Sequence, residues 1–256
     1  MYNNGPNPIS RSERMEICRE ITGRLHEVYG NKIKAIGVYG SVARGTDGPY
    51  SDIEMFCVQH QSGLPVEECY EWSAGSWKAE VDIYSADLLL AKAAIVERRW
   101  PLTHGPYFNV LSLYDPDSFF PALKMAAEAP EKSSFSVAIN EVLVGEMYEF
   151  IGKLRNANQG GPQTYLPYLA VQLAQNGAML IGLHNRKTYS TGAMVLPEAV
   201  TLPDRPDGYD RVAELVMSGQ LAEPPMIVSA CERYWNGLVK WAEEYDYVIH
   251  SKRLPF

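Results

Sequence analysis

The sequence has 256 residues, of which 46% are hydrophobic, and a formal net charge of −8. A chain of this length and composition can bury one large core or two modest ones, which argues against an intrinsically disordered protein. The acidic balance argues against general nucleic-acid binding, because that binding depends on cationic side chains that neutralise phosphates. It suits a cationic small substrate instead.

The cysteines and the hydropathy pattern indicate the cellular compartment of the protein. The four cysteines are scattered and lack the paired spacing of a zinc site or a disulfide framework. The longest apolar stretch, residues 169–183, is too short and polar to span a bilayer, and the amino terminus lacks the order of a secretion signal. The sequence therefore predicts a cytoplasmic protein that has reduced thiols and no membrane partner.

The first half of the chain is rich in predicted strands. Ser10 and Glu13 have capping-box spacing, and an apolar helical period follows until Gly30, so a helix is predicted between them. Short runs rich in β-branched and apolar residues then predict strands that share one sheet. The predicted strands are 33–40, 53–58 and 77–84, and a covering helix is predicted at 86–99.

The second half is predicted to be helical. Helical periodicity extends over 132–157, 163–187 and 225–245, and the Gly-Gly-Pro breaker at 160–162 separates the first two segments. The contrast predicts an α+β protein with an α/β domain over residues 1–130 and an all-α helical domain over 131–256.

The stretch GSVARGTDGPYSDIE, residues 40–54, directly follows the first predicted strand. Gly40 leaves the backbone amides at the strand end accessible to a phosphate group. Ser41 adds a hydroxyl donor, and Arg44 adds a charged planar fork suited to phosphate oxygens. These residues predict a phosphate-binding turn.

Asp52 and Glu54 close this stretch and are separated by one residue. On a strand, that spacing points both carboxylates to one face, where a divalent cation such as magnesium relieves their repulsion. Glu80 and Asp82 repeat the spacing on a later strand, and either could supply a third oxygen ligand. Alone, the pattern also fits the solvated face of an edge strand, but its combination with the phosphate-binding turn favours a metal site and attack at phosphorus.

The order of these motifs resembles the nucleotidyltransferase superfamily that includes DNA polymerase β. Segments from the first strand to the closing SKRLPF also resemble the kanamycin nucleotidyltransferases, which are aminoglycoside 4′-O-nucleotidyltransferases. The resemblance implies a nucleotidyltransferase-type mixed sheet followed by a helical domain. Further segments that carry it are KAIGVYGSVARGTDGPYSDIEMFCV, WKAEVDIY, WPLTHG, KLRN, GPQTYLPYL, GAMLIGLH, GYD and VMSGQL.

The resemblance implies transfer of AMP from MgATP to a hydroxyl of a kanamycin-type antibiotic, with release of pyrophosphate and resistance to the drug. Ser41 and Arg44 would bind the triphosphate. Asp52 and Glu54 would act in catalysis as magnesium ligands, and Glu80 would complete the acidic site or bind the amino groups of the drug.

In EMYEFIGKLRN, residues 146–156, Glu149 falls where the family has its catalytic base and Lys153 where it has a nucleotide-binding lysine. The i, i+4 spacing makes them neighbours on a helix face, as it would in an ordinary surface ion pair, so only the resemblance selects the functional interpretation. Glu146, close to that face, is assigned with Glu80 to substrate binding. Gly145 and Arg99 depart from the family at positions where acidic residues are expected.

The resemblance also implies a homodimer whose active sites draw residues from both subunits. Two alternative functions remain open at this point. One keeps the nucleotidyltransferase chemistry but transfers to a protein or nucleic-acid acceptor, although the acidic charge disfavours the latter. The other is a catalytically silent nucleotide-binding or antitoxin-like module.

Overall fold

The computed structural model describes residues 5–60 and 63–250, which form two compact units. One unit contains the described residues up to Ile95 together with His104–Pro130. The other contains Val96–Thr103 and the described residues from Glu131 onward. The SKRLPF segment, 251–256, lies outside the described residues. The predicted domain division at residue 130 stays a prediction, and residues 96–103 group with the helical unit.

The first unit begins with helix α1, whose capping box is confirmed by reciprocal hydrogen bonds between Ser10 and Glu13. A 3₁₀ turn at Gly30–Lys32 leads into the first strand. The elements that follow α1 (Arg11–Tyr29) are β1 (Ile33–Val38), α2 (Gly40–Arg44), β2 (Ile53–Gln59), β3 (Glu67–Ser73), β4 (Lys78–Ser85) and α3 (Ala86–Ala93). The unit resumes with α5 (Gly105–Phe108), β5 (Leu111–Tyr114) and α6 (Phe119–Glu128), after α4 (Trp100–Thr103) of the other unit.

Within the described residues, five strands form one mixed sheet in the order β3-β4-β2-β1-β5. In this part of the chain β2 and β4 run parallel to each other, and the other strand pairs are antiparallel. One sheet face packs against apolar residues of α1, including Cys18 and Ile21. Leu89 of α3 and Leu123 of α6 belong to the cluster on the other side, with Phe56 of β2.

The three predicted strands are confirmed, whereas β3 and β5 were not predicted. Every residue of β3 is exposed, so its sequence, EECYEWS, carries no apolar alternation that would predict a strand. β5 has only four residues. The helix predicted over 86–99 is wrong beyond Ala93, where α3 ends shortly before the chain passes from the first unit, at Ile95, to the second, at Val96.

The second unit is helical and is organised around the long helix α9, most of which is buried. The predicted segment 132–157 contains a π-helical turn at Val142–Met147, between α7 and α8. None of the helices within 5–60 and 63–250 is long and apolar enough to cross a membrane. The helices from α7 onward are α7 (Lys132–Glu141), α8 (Tyr148–Asn158), α9 (Leu166–Asn185), α10 (Val195–Ala199), α11 (Tyr209–Ser218) and α12 (Pro224–Glu244).

Candidate active site

Acidic side chains line one face of the parallel pair β2 and β4. The register places Glu54 directly opposite Glu80, and Phe56 opposite Asp82. Asp52 immediately precedes β2, and both it and Glu54 are half-buried, whereas Ile53 between them is buried. The strand alternation therefore places the two carboxylates on the same side, as the spacing predicted.

The carboxylates of this face repel one another. Burial raises the pKa of Glu54 to about 7, and the negative charges of Asp52 and Glu80 add to the rise, while Arg44 opposes it. Burial also raises the pKa of Glu80, with contributions from neighbouring carboxylates. A divalent cation bound among these oxygens would replace this repulsion with attraction.

The turn after β1 lies directly against this face. Tyr39 donates its backbone N–H to the carbonyl oxygen of Glu54 at 2.8 Å. Gly40 then has a φ of +69°, and a Cβ added there would lie 1.7 Å from Oε2 of Glu54. The positive φ favours glycine, and the end of the Glu54 side chain lies so close that it would have to move to admit a Cβ, so the backbone of the turn and the Glu54 carboxylate are in contact.

Ser41 and Arg44 lie on α2, a helix of five residues at this turn. Both side chains are half-buried. The Nε atom of Arg44 is buried without a hydrogen-bond partner among the residues that the structure describes. An unpaired buried donor is costly, and an anionic oxygen would satisfy it. The side chain therefore suits the predicted contact with phosphate.

Asp82 and Cys69 extend the acidic face. Tyr39 donates its hydroxyl to Oδ2 of Asp82 at 2.8 Å. One ligand atom each of Cys69, Glu80 and Asp82 lies within 4.8 Å of the others. Partial desolvation of the exposed side chain and the neighbouring Asp82 raise the pKa of Cys69 to about 11, so it carries a thiol. A hard cation such as magnesium would use the two carboxylates instead. Sequence reasoning missed Cys69 because β3 was not predicted.

Glu149 and Lys153 lie in the second unit, on α8. Lys153 Nζ is 2.5 Å from Glu149 Oε1, and the side chains are 44% and 56% exposed, respectively. In this unit they form the surface i, i+4 pair that the spacing allows. The assigned roles of both residues remain predictions.

Glu146 lies in the π-helical turn before α8 and accepts a hydrogen bond from Nη1 of Arg98 at 2.8 Å. It lines a cavity of about 850 Å³ within the helical unit, together with Arg98, Arg99 and the amides of Gln172 and Gln175. The ion pair already balances its charge, so the predicted contact of Glu146 with a cationic substrate would compete with Arg98.

The predicted site residues thus form two groups. The first unit brings together Ser41, Arg44, Asp52, Glu54 and Glu80 around one turn and one sheet face. The second unit holds Glu146, Glu149 and Lys153 along a single helical segment.

Comparisons with known proteins identify the family. The sequence profile of the KNTase C-terminal domain matches residues 117–248. Aminoglycoside nucleotidyltransferases (4′) from Staphylococcus aureus and Bacillus sp are each 47% identical over 254 residues, covering 99% of this chain and all of the relative. A nucleotidyltransferase-like protein of known structure, from Exiguobacterium sibiricum, is 12% identical. It covers 90% of this chain and 78% of its own, with a TM-score of 0.50.

The structural likeness concerns the fold alone, whereas the full-length sequence identity establishes family and enzyme class. The predicted resemblance and the α+β fold class are confirmed. The chain belongs to the aminoglycoside nucleotidyltransferase (4′) family of enzymes.

Proposed function

We propose that this protein transfers AMP from MgATP to the 4′-hydroxyl of kanamycin-type aminoglycosides, releases pyrophosphate and thereby confers resistance. The observation that carries the proposal is the contact between Gly40 and Glu54, because it joins a phosphate-binding turn to a carboxylate suited to a metal. The full-length identity to aminoglycoside nucleotidyltransferases (4′) supports the acceptor.

Asp52 and Glu54 would hold magnesium, since their clustered carboxylate oxygens are the ligands that this ion prefers. When bound, the ion supplies charge neutralisation at the phosphate oxygens. Ser41 and Arg44 would orient the triphosphate from α2, and the unpaired donor of Arg44 supports that role. Lys153 would stabilise negative charge on the nucleotide.

The chemical step forms one bond and breaks one. The drug hydroxyl oxygen attacks the α-phosphorus, and the bond from that phosphorus to the oxygen of the leaving pyrophosphate breaks. Glu149 would accept the hydroxyl proton as the new bond forms. Its carboxylate is exposed and lies beside Lys153, so it is accessible to a substrate hydroxyl.

Glu80 and Glu146 would bind amino groups of the drug. Glu80 lies beside the proposed metal ligands, and its negative neighbours favour a polycationic substrate. Glu146 would break its ion pair with Arg98 and form one with an ammonium group of the drug. We further propose a cytoplasmic homodimer whose active sites draw residues from both subunits, and a division of each chain into domains 1–130 and 131–256.

The mass of kanamycin after incubation with the protein and MgATP tests this function, with a 4′-deoxy aminoglycoside as the matched control. We expect an added adenylyl group on kanamycin and none on the control. Modification of both drugs would show that another hydroxyl attacks. Modification of neither, with ATP binding confirmed, would contradict the proposed acceptor.

A further inference from the structure

Arg14, on α1, is a buried charge to which the proposed chemistry assigns no role. Its side chain is 1% exposed, and so deeply buried a guanidinium is tolerated only when its donors are paired. Its guanidinium donates hydrogen bonds to residues 47–51, which belong to the loop that joins α2 to β2.

The guanidinium of Arg14 binds this loop at several points. Nη1 donates to Oδ2 of Asp47 at 2.5 Å, and Nη2 donates to the carbonyls of Gly48 and Pro49 at 3.0 and 3.2 Å. Nε donates to the carbonyl of Ser51 at 3.2 Å. One rigid planar group therefore contacts four residues of the loop and restrains their positions.

Arg11, one helical turn earlier, extends the network to the phosphate-binding turn. It pairs with Oδ1 of Asp47, whose side chain is only 2% exposed, and its Nη2 donates to the carbonyl of Val42 in α2 at 2.9 Å. Both arginines therefore pair with Asp47, and Arg11 also forms a hydrogen bond to α2. The two ends of the loop are fixed to the same face of α1.

These contacts end one residue before Asp52. The loop from Gly45 to Asp52 connects the proposed phosphate-binding residues of α2 to β2, and the proposed metal ligand Asp52 is its last residue. The pairing of β1 with β2 holds Glu54 beside the turn, whereas the position of Asp52 depends on the path of this loop. An error of about 1 Å in such a position can cost roughly a hundredfold in rate.

We infer that Arg14 is a positioning residue, which sets the placement of Asp52 relative to the phosphate-binding turn through its hydrogen bonds to residues 47–51. The inference rests on the proposed function, because it takes Asp52 as a metal ligand. Arg14 acts through the loop and contacts no reacting atom.

The test compares Arg14→Lys with Arg24→Lys. Lysine keeps the charge but lacks the planar fork, so it cannot pair with Asp47 and the three carbonyls together. Arg24 is the matched control on the same helix, because it is exposed and pairs with the exposed Glu27. Asp47→Asn provides a second variant that keeps the shape of the side chain and removes its charge.

The readouts are the Kd of Mn²⁺, measured by electron paramagnetic resonance with a non-hydrolysable ATP analogue, and kcat and KM with kanamycin. For Arg14→Lys we expect the Mn²⁺ Kd to rise and kcat to fall by about tenfold or more, with the kanamycin KM nearly unchanged. Asp47→Asn should follow the same direction, and Arg24→Lys should match the wild type in all three readouts.

A purely structural role predicts a different result. Folded variants with a reduced melting temperature but wild-type Mn²⁺ affinity and kcat would overturn the inference, as would failure of both variants to fold. If the wild type itself binds no Mn²⁺ with the nucleotide analogue, the proposed function fails. If the wild type binds Mn²⁺ and the nucleotide analogue but does not modify kanamycin, the Mn²⁺ Kd of the variants relative to the wild type still decides the role of Arg14.

Discussion

The acidic sheet face and helix α8 present carboxylates in opposite ways. Glu54 and Glu80 are partly buried, face each other across a strand pair and repel, so their environment favours a bound cation. Glu149 is exposed and already paired with Lys153. The first arrangement is costly without a ligand, whereas the second is an ordinary feature of a stable helix. Electrostatic repulsion therefore distinguishes the candidate site in the first region, whereas it does not distinguish the second.

Replacement of Asp52 by Asn tests the sheet face most severely. Loss of a proposed metal ligand should reduce kcat/KM by about a thousandfold, or about 4 kcal/mol of transition-state stabilisation, while the fold is retained. Steady-state kinetics and circular dichroism measure the two effects. Asp117→Asn removes an exposed partner of Lys34 in the same unit and should leave the activity unchanged. Near-wild-type activity of Asp52→Asn would remove the metal site from the mechanism.

Replacement of Glu149 by Gln addresses the other side of the comparison. If this exposed carboxylate is the general base, kcat should fall by about a hundredfold with little change in melting temperature. Glu128→Gln is the matched control, because Glu128 forms an exposed i, i+4 pair with Lys124. Equal activities of the two variants would mean that Glu149 and Lys153 form a surface ion pair and nothing more.

The glycine pair Gly40 and Gly45 separates backbone strain from contact with the site. Both have positive φ, but an added Cβ meets Glu54 only at Gly40 and meets nothing within 4 Å at Gly45. Gly45→Ala should cost about 1 kcal/mol of unfolding free energy. Gly40→Ala should cost roughly 1 kcal/mol more, because the Glu54 side chain must leave its rotamer to admit the methyl group. Urea denaturation of the metal-free protein measures both. Equal costs would contradict the tight packing of Glu54 against the turn.

The pH dependence of stability tests the electrostatics of the sheet face in the metal-free protein. The pKa of Glu54 is raised from 4.5 to about 7, so the folded state binds more protons than the unfolded state between these values. This carboxyl therefore lowers the stability of the metal-free protein as the pH rises through that window. Melting temperatures should show a smaller decline for Glu54→Gln than for the wild type. An identical decline would indicate that the pKa of Glu54 is not raised in the folded protein.

The sheet face could be predicted because strand periodicity fixes which side chains share a face. The alternation of side chains along a strand was sufficient to place Asp52 and Glu54 on the same face, and glycine at position 40 indicated a close approach of the backbone. The exposed strand β3 left no such pattern, so Cys69 and its place beside Glu80 could not be predicted. An edge strand is stabilised by its backbone ladder, which is largely independent of side-chain identity.

Helical periodicity in the sequence predicted that the second unit is helical, but it did not identify the candidate site residues of that unit. The spacing of Glu149 and Lys153 is common on solvent-exposed helices, so resemblance alone selected them. The ion pair of Glu146 with Arg98 joins positions 48 residues apart in sequence, and no local pattern encodes such a contact. The buried network of Arg14 and Asp47 was missed for the same reason.

The π-helical turn at Val142–Met147 allows its segment to hold one residue more than a regular α-helix with the same buried face. An α-helix advances by about 100° per residue, whereas the wider π turn advances by less, so the turn absorbs the additional residue. Ile139, Leu143, Met147 and Ile151 are buried at equal spacings of four through the turn. Deleting one residue of this turn should therefore leave a continuous α-helix with its buried face largely in register. Deleting one residue within α8 would instead rotate every later side chain of that helix by about 100°.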